Sequence, residues 1–283
     1  MEIRRATEAD LPTEQDVFRA AIGELYRRHS LEPPNPPPAA FEAQQGHLLR
    51  HDGERCFVAE DAGRIVAFAA ALVRAEAWFL SSLFVLPKLQ GRGLGRRLLE
   101  RVWGDGYRRR LTLTDAIQPA SNGLYARLGL LPATPVLHLD GVPRADPPSE
   151  LEAAAPEPEA LASLDRAAYG FDRVVDHAYW GAGPGRGTLW LRGGEPCAYS
   201  YVWPGGRIGP VAGADGLAAA AALRAELART EGPAGVVVPG SAAPLVRVAV
   251  DAGLRFTKPP GLLLLGGEAT APSALAISGY ALF

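Results

Sequence analysis

An apolar run, Leu83-Phe84-Val85, leads within a few residues into Gln90-Gly91-Arg92-Gly93-Leu94-Gly95-Arg96, where a segment of helical periodicity begins. Those residue types at that spacing suit the holding of phosphate. Glycines at 91, 93 and 95 remove the side chains that would bar close approach, so successive backbone N–H groups can converge on one anion. The helix that follows adds its positive end, worth about 0.3–1 kcal/mol per favourable charge at an exposed terminus. Arg92, Arg96 and Arg97 add formal charge beside it. A P-loop is excluded, because no lysine follows the glycines. Asp115 stands 20 residues beyond Gly95, where a ribose-binding acid would lie, but the third glycine of a dinucleotide fingerprint would fall on Arg96. The expected ligand is a polyphosphate of another kind.

The elements that must position this loop are those of an α/β chain with a mixed sheet. A strand is expected over residues 2–6, then a helix from Asp10 with Val17, Ala20, Ala21 and Leu25 at helical spacing. Prolines 33, 34 and 36–38 interrupt it, and 39–50 reads as helical again. Strands follow at 55–60 and 64–73, joined by the hairpin signal Asp61-Ala62-Gly63, and at 78–86. The glycine loop opens a helix over 94–104. Residues 110–115 form a strand, 121–128 a short helix stopped by Gly129, and 136–139 a strand.

With Gln90, Gly93 and Gly95 in fixed positions after a fourth strand, the loop resembles motif A of the GCN5-related N-acetyltransferases, Q/R-x-x-G-x-G/A, which binds the pyrophosphate of acetyl-coenzyme A. The element order is that of the family. Downstream, Ser121-Asn122-Gly123-Leu124-Tyr125-Ala126-Arg127-Leu128-Gly129-Leu130 resembles the family segment N-x-x-A-x-x-[FL]-Y-x-x-x-G-F, with Gln118 at the asparagine position and Leu130 at the phenylalanine. The resemblance implies that Tyr125 protonates the leaving thiolate. It also implies that Leu83, Phe84 and Val85 offer backbone groups to the pantetheine arm. Gln90, Gly91, Arg92, Gly93, Leu94, Gly95 and Arg96 would hold the pyrophosphate, with Gln118, Ser121 and Asn122 completing the cofactor site. Alanine at Gly93 or Gly95 is expected to abolish cofactor binding with the fold intact.

After Asp140 the composition changes. Prolines 143, 147, 148, 156 and 158 mark residues 142–158 as a linker between a first domain, 1–141, and a second, 159–283. The second repeats the outline of the first: a helix at 159–169, strands at 187–192, 196–203 and 207–212, a helix at 217–229, a strand at 235–238 and a helix at 242–252. Anchored on Val211 and Gly253, Gln90 through Gly95 fall opposite Gly216 through Ala221, and Tyr125 opposite Ala249. Only one glycine precedes that helix, so the second domain reads as a degenerate acetyltransferase-like copy without cofactor.

With 283 residues, 48% apolar content and a net charge of −2, the chain can bury two cores and has no basic face for nucleic acid. No apolar run approaches 18 residues and the N-terminus is charged from residue 2, so no membrane segment or targeting peptide is expected, and a cytoplasmic location is. Cys56 and Cys197 read as reduced core residues. His47 and His51 lack the glutamate of H-E-x-x-H and read as a solvated helix face, so no metal is expected.

The implied reaction is acetyl transfer from the thioester to a primary amine by direct attack. Neutralising a lysine at pH 7 costs roughly 4.6 kcal/mol, and an α-amine only about 1–1.4 kcal/mol. The glutamate of the histone-acetylating branch corresponds to Phe79 here, and no carboxylate occurs between Trp78 and Val85. This favours a small amine or α-amine over a protein lysine. Asp115 is a candidate base that also reads as a strand-end residue. A protein-directed enzyme and a non-catalytic acyl-coenzyme A sensor stay open as alternatives, as do monomer and homodimer. The cluster from Asp172 to His177, flanked by aromatic residues, could bind a cationic amine, and reads otherwise as a surface helix with ordinary charge pairs.

Overall fold

The computed structural model describes residues 1–144 and 150–283. In chain order the first half contains β1 (Glu2–Arg5), α1 (Leu11–Arg28), α2 (Pro38–Asp52), β2 (Cys56–Asp61), β3 (Arg64–Arg74), β4 (Ala77–Val85), α3 (Leu94–Trp103), β5 (Arg109–Asp115), α4 (Pro119–Ala126) and β6 (Leu131–Gly141). The second half contains β7 (Glu152–Ala154), α5 (Pro158–Ala168), α6 (Val174–Ala182), β8 (Arg186–Arg192), β9 (Glu195–Val202), β10 (Arg207–Gly213), α7 (Gly216–Ala228) and β11 (Ala234–Pro239). It ends with α8 (Ala243–Asp251), β12 (Arg255–Phe256), β13 (Gly261–Gly267) and β14 (Leu275–Ala276).

Local chemistry sets these elements. Ala62 and Gly63 both take positive φ, 49° and 75°, which is the two-residue turn whose twist matches paired strands, and β2 and β3 close on it. In α3 the buried residues Leu94, Leu98, Leu99 and Val102 share one face, while Arg96, Arg97, Glu100 and Arg101 lie outside. Gly129, at φ 82°, ends α4, and the N–H of Leu130 returns to the carbonyl of Tyr125.

The strands form one continuous sheet in the order β1-β2-β3-β4-β5-β13-β6-β11-β10-β9-β8-β7, with β12 beside β6 and β14 beside β10. Two pairs are parallel, β4 with β5 and β10 with β11, and the rest are antiparallel. The halves exchange strands: β13 from the second lies between β5 and β6 of the first, and β6 in turn pairs with β11 of the second. The boundary read at residue 141 therefore falls within a shared sheet. Of the linker span 142–158, residues 145–149 lie outside the described part, and Glu152–Ala154 is an edge strand on β8 rather than linker, because its backbone groups pair there.

The α/β architecture has three apolar layers. On one face a single core joins the two halves, with Val17, Phe41, Leu48 and Phe68 from the first and Leu161, Leu164, Trp180 and Tyr199 from the second. On the opposite face α3 and α4 cover the first half, and α7 and α8 the second. The shared core holds buried charge. Arg74 reaches Asp52 at 3.0 Å and Asp176 at 2.7 Å, and His47 Nε2 lies 2.7 Å from the same Asp176 carboxylate. His47 is thus buried rather than solvated. Its turn of α2 meets α6 of the other half, a contact that i, i+4 spacing within one helix does not reveal. Arg173 and His177 likewise converge on the fully buried Asp165.

Glu14 of α1 is buried without such a partner, and burial pushes its carboxyl up to about 8. The folded state binds this proton more tightly than the unfolded chain. The associated stability is complete below the ordinary carboxylate range and is lost as pH rises through 8. Urea unfolding at pH 5.5 and 8.5 is expected to show the protein less stable at the higher pH. Glu14→Gln removes that decline, for a gain of roughly 2–4 kcal/mol at pH 8.5.

Candidate functional site

β4 and β5 run side by side over Ala77–Leu80 and Arg109–Thr112 and then part. The Thr112 hydroxyl donates to the Leu80 carbonyl at 3.0 Å, pinning the last paired position. Opposite β3 the register slips between Ser82 and Leu80, so Ser81 is the extra residue of a bulge at the fork. Leu83, Phe84 and Val85 then pair with β3 alone, which leaves their other backbone edge facing the fork; among the described residues no segment pairs with them there.

The glycine loop stands at the open end of this fork. The Gln90 amide donates to the Val85 carbonyl at 2.9 Å, so this side chain ties the loop to the strand end. Gly91 and Gly93 take φ of 76° and 80°, and a Cβ at either would project into open space. Gly93 is the N-cap of α3 and supplies no side-chain cap. Among the described residues, the backbone N–H groups from Gly91 through Arg96 meet no protein acceptor, and the first to do so is that of Arg97, on Gly93. This exposed row of donors at a helix N-terminus suits a polyanion. Gly95 differs from its neighbours. It faces inward, and a Cβ there would lie 3.7 Å from Val85 and 4.0 Å from Leu124, at ordinary contact distance. Leu94 is buried, Arg92 lies exposed beside the loop, and Arg96 turns along the helix to Glu100 at 2.8 Å.

α4 borders the same space. Gln118 precedes it as N-cap, and the Asn122 amide nitrogen lies 3.5 Å from the Asp115 carbonyl and 3.4 Å from that of Ala116, at the end of β5. Asn122 Oδ1 and Ser81 Oγ are both buried without a partner among the described residues. Ser81 also borders this site, and its place there follows from the bulge. Tyr125 is buried in the layer of Leu94, Leu98 and Leu130, and burial pushes its phenol far above the ordinary range, with Ser121 hydrogen-bonded to it. A phenol so placed stays protonated and acts as a donor.

Residues 52–129 match the acetyltransferase (GNAT) domain family. This chain carries a GNAT domain. No curated protein matches it by sequence. Among solved structures, a candidate acetyltransferase from Pyrococcus horikoshii superposes over 100% of this chain and 95% of its own, with a TM-score of 0.80 at 16% identity. A GCN5-related N-acetyltransferase from Sphaerobacter thermophilus covers 93% and 94%, at 0.66 and 17%. A tandem GNAT protein from the clavulanic acid biosynthesis pathway covers 95% and 99%, at 0.58 and 15%. At these identities the likeness is one of fold, and it extends across both halves. GNAT enzymes use acetyl-coenzyme A as co-substrate, and the site described above fits that molecule: open N–H groups for its pyrophosphate and a fork for its arm, with two orphaned polar atoms beside it.

The second copy of the GNAT fold shows what the first keeps. Helix α7 begins at Gly216, so Gly93 corresponds to Asp215, and the alignment that placed Gly216 opposite Gln90 is corrected; the connection before α7 is only residues 214–215, against 86–93 before α3. The Asp215 carboxylate accepts from the N–H groups of Leu217 and Ala218 at 2.9 and 2.8 Å, where a phosphate would otherwise be received. The second fork is also filled. β14 pairs with β10 at Val211 and Ala212, and the next residue, Ile277, donates its N–H to Val237 of β11 at 3.0 Å. The chain's own tail therefore lies in the slot that is open in the first copy.

The cluster from Asp172 to His177 is neither a surface helix nor an open amine site. Asp176 is saturated by Arg74 and His47, Arg173 and His177 are engaged by Asp165, and Asp172 is an exposed partner of Arg166 at 3.2 Å. Among the described residues no group of three or more potential metal ligands occurs, and no helix is long and apolar enough to cross a membrane.

Proposed function

We propose that the protein transfers the acetyl group of acetyl-coenzyme A to the primary amine of a small molecule or an α-amine, in the first copy alone. The observation that carries this is the contrast between the two forks: one open beneath an uncapped row of N–H groups, the other filled by the tail and capped by Asp215. In this reading Gly91 to Arg96 receive the pyrophosphate. Leu83 to Val85 offer backbone groups to the arm, and Gln118, Ser121 and Asn122 border it. The Tyr125 phenol, held protonated by burial, donates a hydrogen bond to the thiolate as it leaves, and the proton that the thiolate finally takes comes from the attacking nitrogen.

The roof over the acceptor face supports a small substrate. Phe79, which stands where the histone-acetylating branch places its base, stacks on Phe283 at 5.6 Å, and Tyr169 packs edge-on to the same ring. A folded protein surface has no room to lie along β4 there. We propose residues 1–141 as the working domain, with a cytoplasmic setting and a monomer or homodimer as the expected state.

Thermal shift with acetyl-coenzyme A, followed by thiol release against an amine panel, tests this reading. Stabilisation with amine-dependent thiol release is expected; absence of stabilisation would sink it. Tyr125→Phe is expected to lower kcat about 10- to 100-fold. Its acetyl-coenzyme A stabilisation should match the wild type, and an unchanged kcat would remove the phenol from the reaction.

A further inference from the structure

Asp115 closes β5 just beyond the fork. Leu111 and Leu113 of the same strand belong to the core beneath α1 and α2, so by strand alternation Asp115 faces that side of the sheet. Tyr125 lies in the layer on the opposite side, with α3. A phenol and a carboxylate thus flank the fork from its two faces.

The surroundings of Asp115 come from three parts of the chain. Tyr26 of α1 donates its hydroxyl to Asp115 Oδ1 at 3.1 Å. Tyr280 of the tail approaches over Gly261, which pairs with Asp115 across β13 and β5; a Cβ at Gly261 would collide with the Tyr280 hydroxyl. His138 of β6 stacks on the Tyr280 ring, its Nε2 2.9 Å from that hydroxyl. The second copy, idle as a cofactor site, therefore supplies this wall of the first. The tail segment that fills its fork at 275–277 is the one that delivers Tyr280.

Asp115 has no cation. Elsewhere Asp10, Asp52, Asp165, Asp176 and Glu226, all buried, each hold an arginine, and the buried Glu14 holds its proton instead. Among the described residues no Arg, Lys or His nitrogen lies within 4.0 Å of the Asp115 carboxylate, and the hydrogen bond which that carboxylate accepts from a side chain comes from a neutral phenol. A half-buried carboxylate beside two phenols, one of them held in turn by His138, suits a cation from outside, and the ring faces would add to its attraction.

Resting on the acetyltransferase reading above, we propose that Asp115 binds the ammonium group of a small primary amine and accepts its first proton, with Tyr26, Tyr280 and His138 as positioning residues. The steps balance as follows. The ammonium gives one proton to the Asp115 carboxylate, which later passes it to solvent. The free amine forms the N–C bond to the acetyl carbon, the C–S bond breaks, and the second nitrogen proton passes to the thiolate. Amide, thiol and one solvent proton result.

Burial holds the Asp115 carboxyl above its ordinary range, with the Tyr26 hydrogen bond opposing, so the proton-accepting form is lost only when pH falls through that raised value. Tyr26 and Tyr280 stay protonated throughout, and burial together with Lys258 keeps His138 neutral to lower pH.

The experiment compares wild type, Asp115→Asn and Tyr26→Phe, with 2-phenylethylamine, tyramine, glycinamide and a lysine-containing peptide as acceptors. For Asp115→Asn, kcat/KM toward the small amines is expected to fall at least about 100-fold, with the acid limb of its pH profile abolished and stabilisation by acetyl-coenzyme A retained. Tyr26→Phe is expected to keep that limb and move it to higher pH. Wild-type turnover with Asp115→Asn unchanged, or with its acid limb intact, overturns the assignment while leaving the acetyltransferase reading standing. Preference for the peptide over every small amine overturns the substrate class. A wild type that neither binds acetyl-coenzyme A nor releases thiol overturns both readings, and is told apart by failing before any variant is made.

Discussion

Gly93→Ala is expected to weaken acetyl-coenzyme A binding at least about 100-fold, a loss of about 2.7 kcal/mol. The residue sits at φ 80° with open space above it, so an added methyl group strains the backbone by roughly 1–2 kcal/mol and stands where the anion must approach. The fold should survive, with Tm lowered by about 2–8 °C. Gly95→Ala is the control. Its Cβ would meet Val85 and Leu124 at contact distance within α3, where alanine is the better helix former by about 0.8–1 kcal/mol. Binding within a few-fold of wild type is expected there, which revises the expectation, drawn from the glycine pattern alone, that either substitution abolishes it. Isothermal titration of both variants checks the pair; equal losses would mean that Gly95 also faces the cofactor.

Asp176→Ala is expected to destabilise the protein by roughly 3–5 kcal/mol, because it leaves buried His47 without its carboxylate and Arg74 with Asp52 alone in the core between the two halves. Both nitrogen groups lose a carboxylate that they hold at 2.7 Å, and water has no ready access to replace it. At this chain length the change corresponds to a Tm lower by about 6–20 °C. The Asp176 carboxyl is held far below the ordinary carboxylate range, so acidification removes the same interaction only in strong acid. A variant whose melting point stayed within 2 °C of wild type, on the order of the ~0.5 kcal/mol of a neutral surface change, would show that the pair contributes nothing net.

Local pattern was legible wherever one stretch of chain settles its own conformation. The hairpin at Ala62-Gly63, the amphipathic face of α3 and the stop at Gly129 all follow from residues that lie next to one another. Strands β7, β12, β13 and β14 did not emerge in this way. Gly261–Gly267 is a short leucine run whose identity as a strand depends on lying between β5 and β6, and Leu275–Ala276 is a strand only because β10 is beside it.

The candidate site divides along the same line. The sequence by itself determined the glycine loop, the helix that follows it, the family they resemble and the loss of the loop in the second half. Each of these depends on backbone freedom and on spacing within a few residues, which the order of amino acids encodes directly. Only the tertiary structure decided that the second fork is filled by the tail, that Asp215 caps the N–H groups opening α7, that His47 and Asp176 bind the halves together, and that Tyr26, Asp115, Tyr280 and His138 meet at one wall. The His138–Tyr280 contact alone joins residues 142 positions apart, and no periodicity along the chain records a contact made between elements so distant.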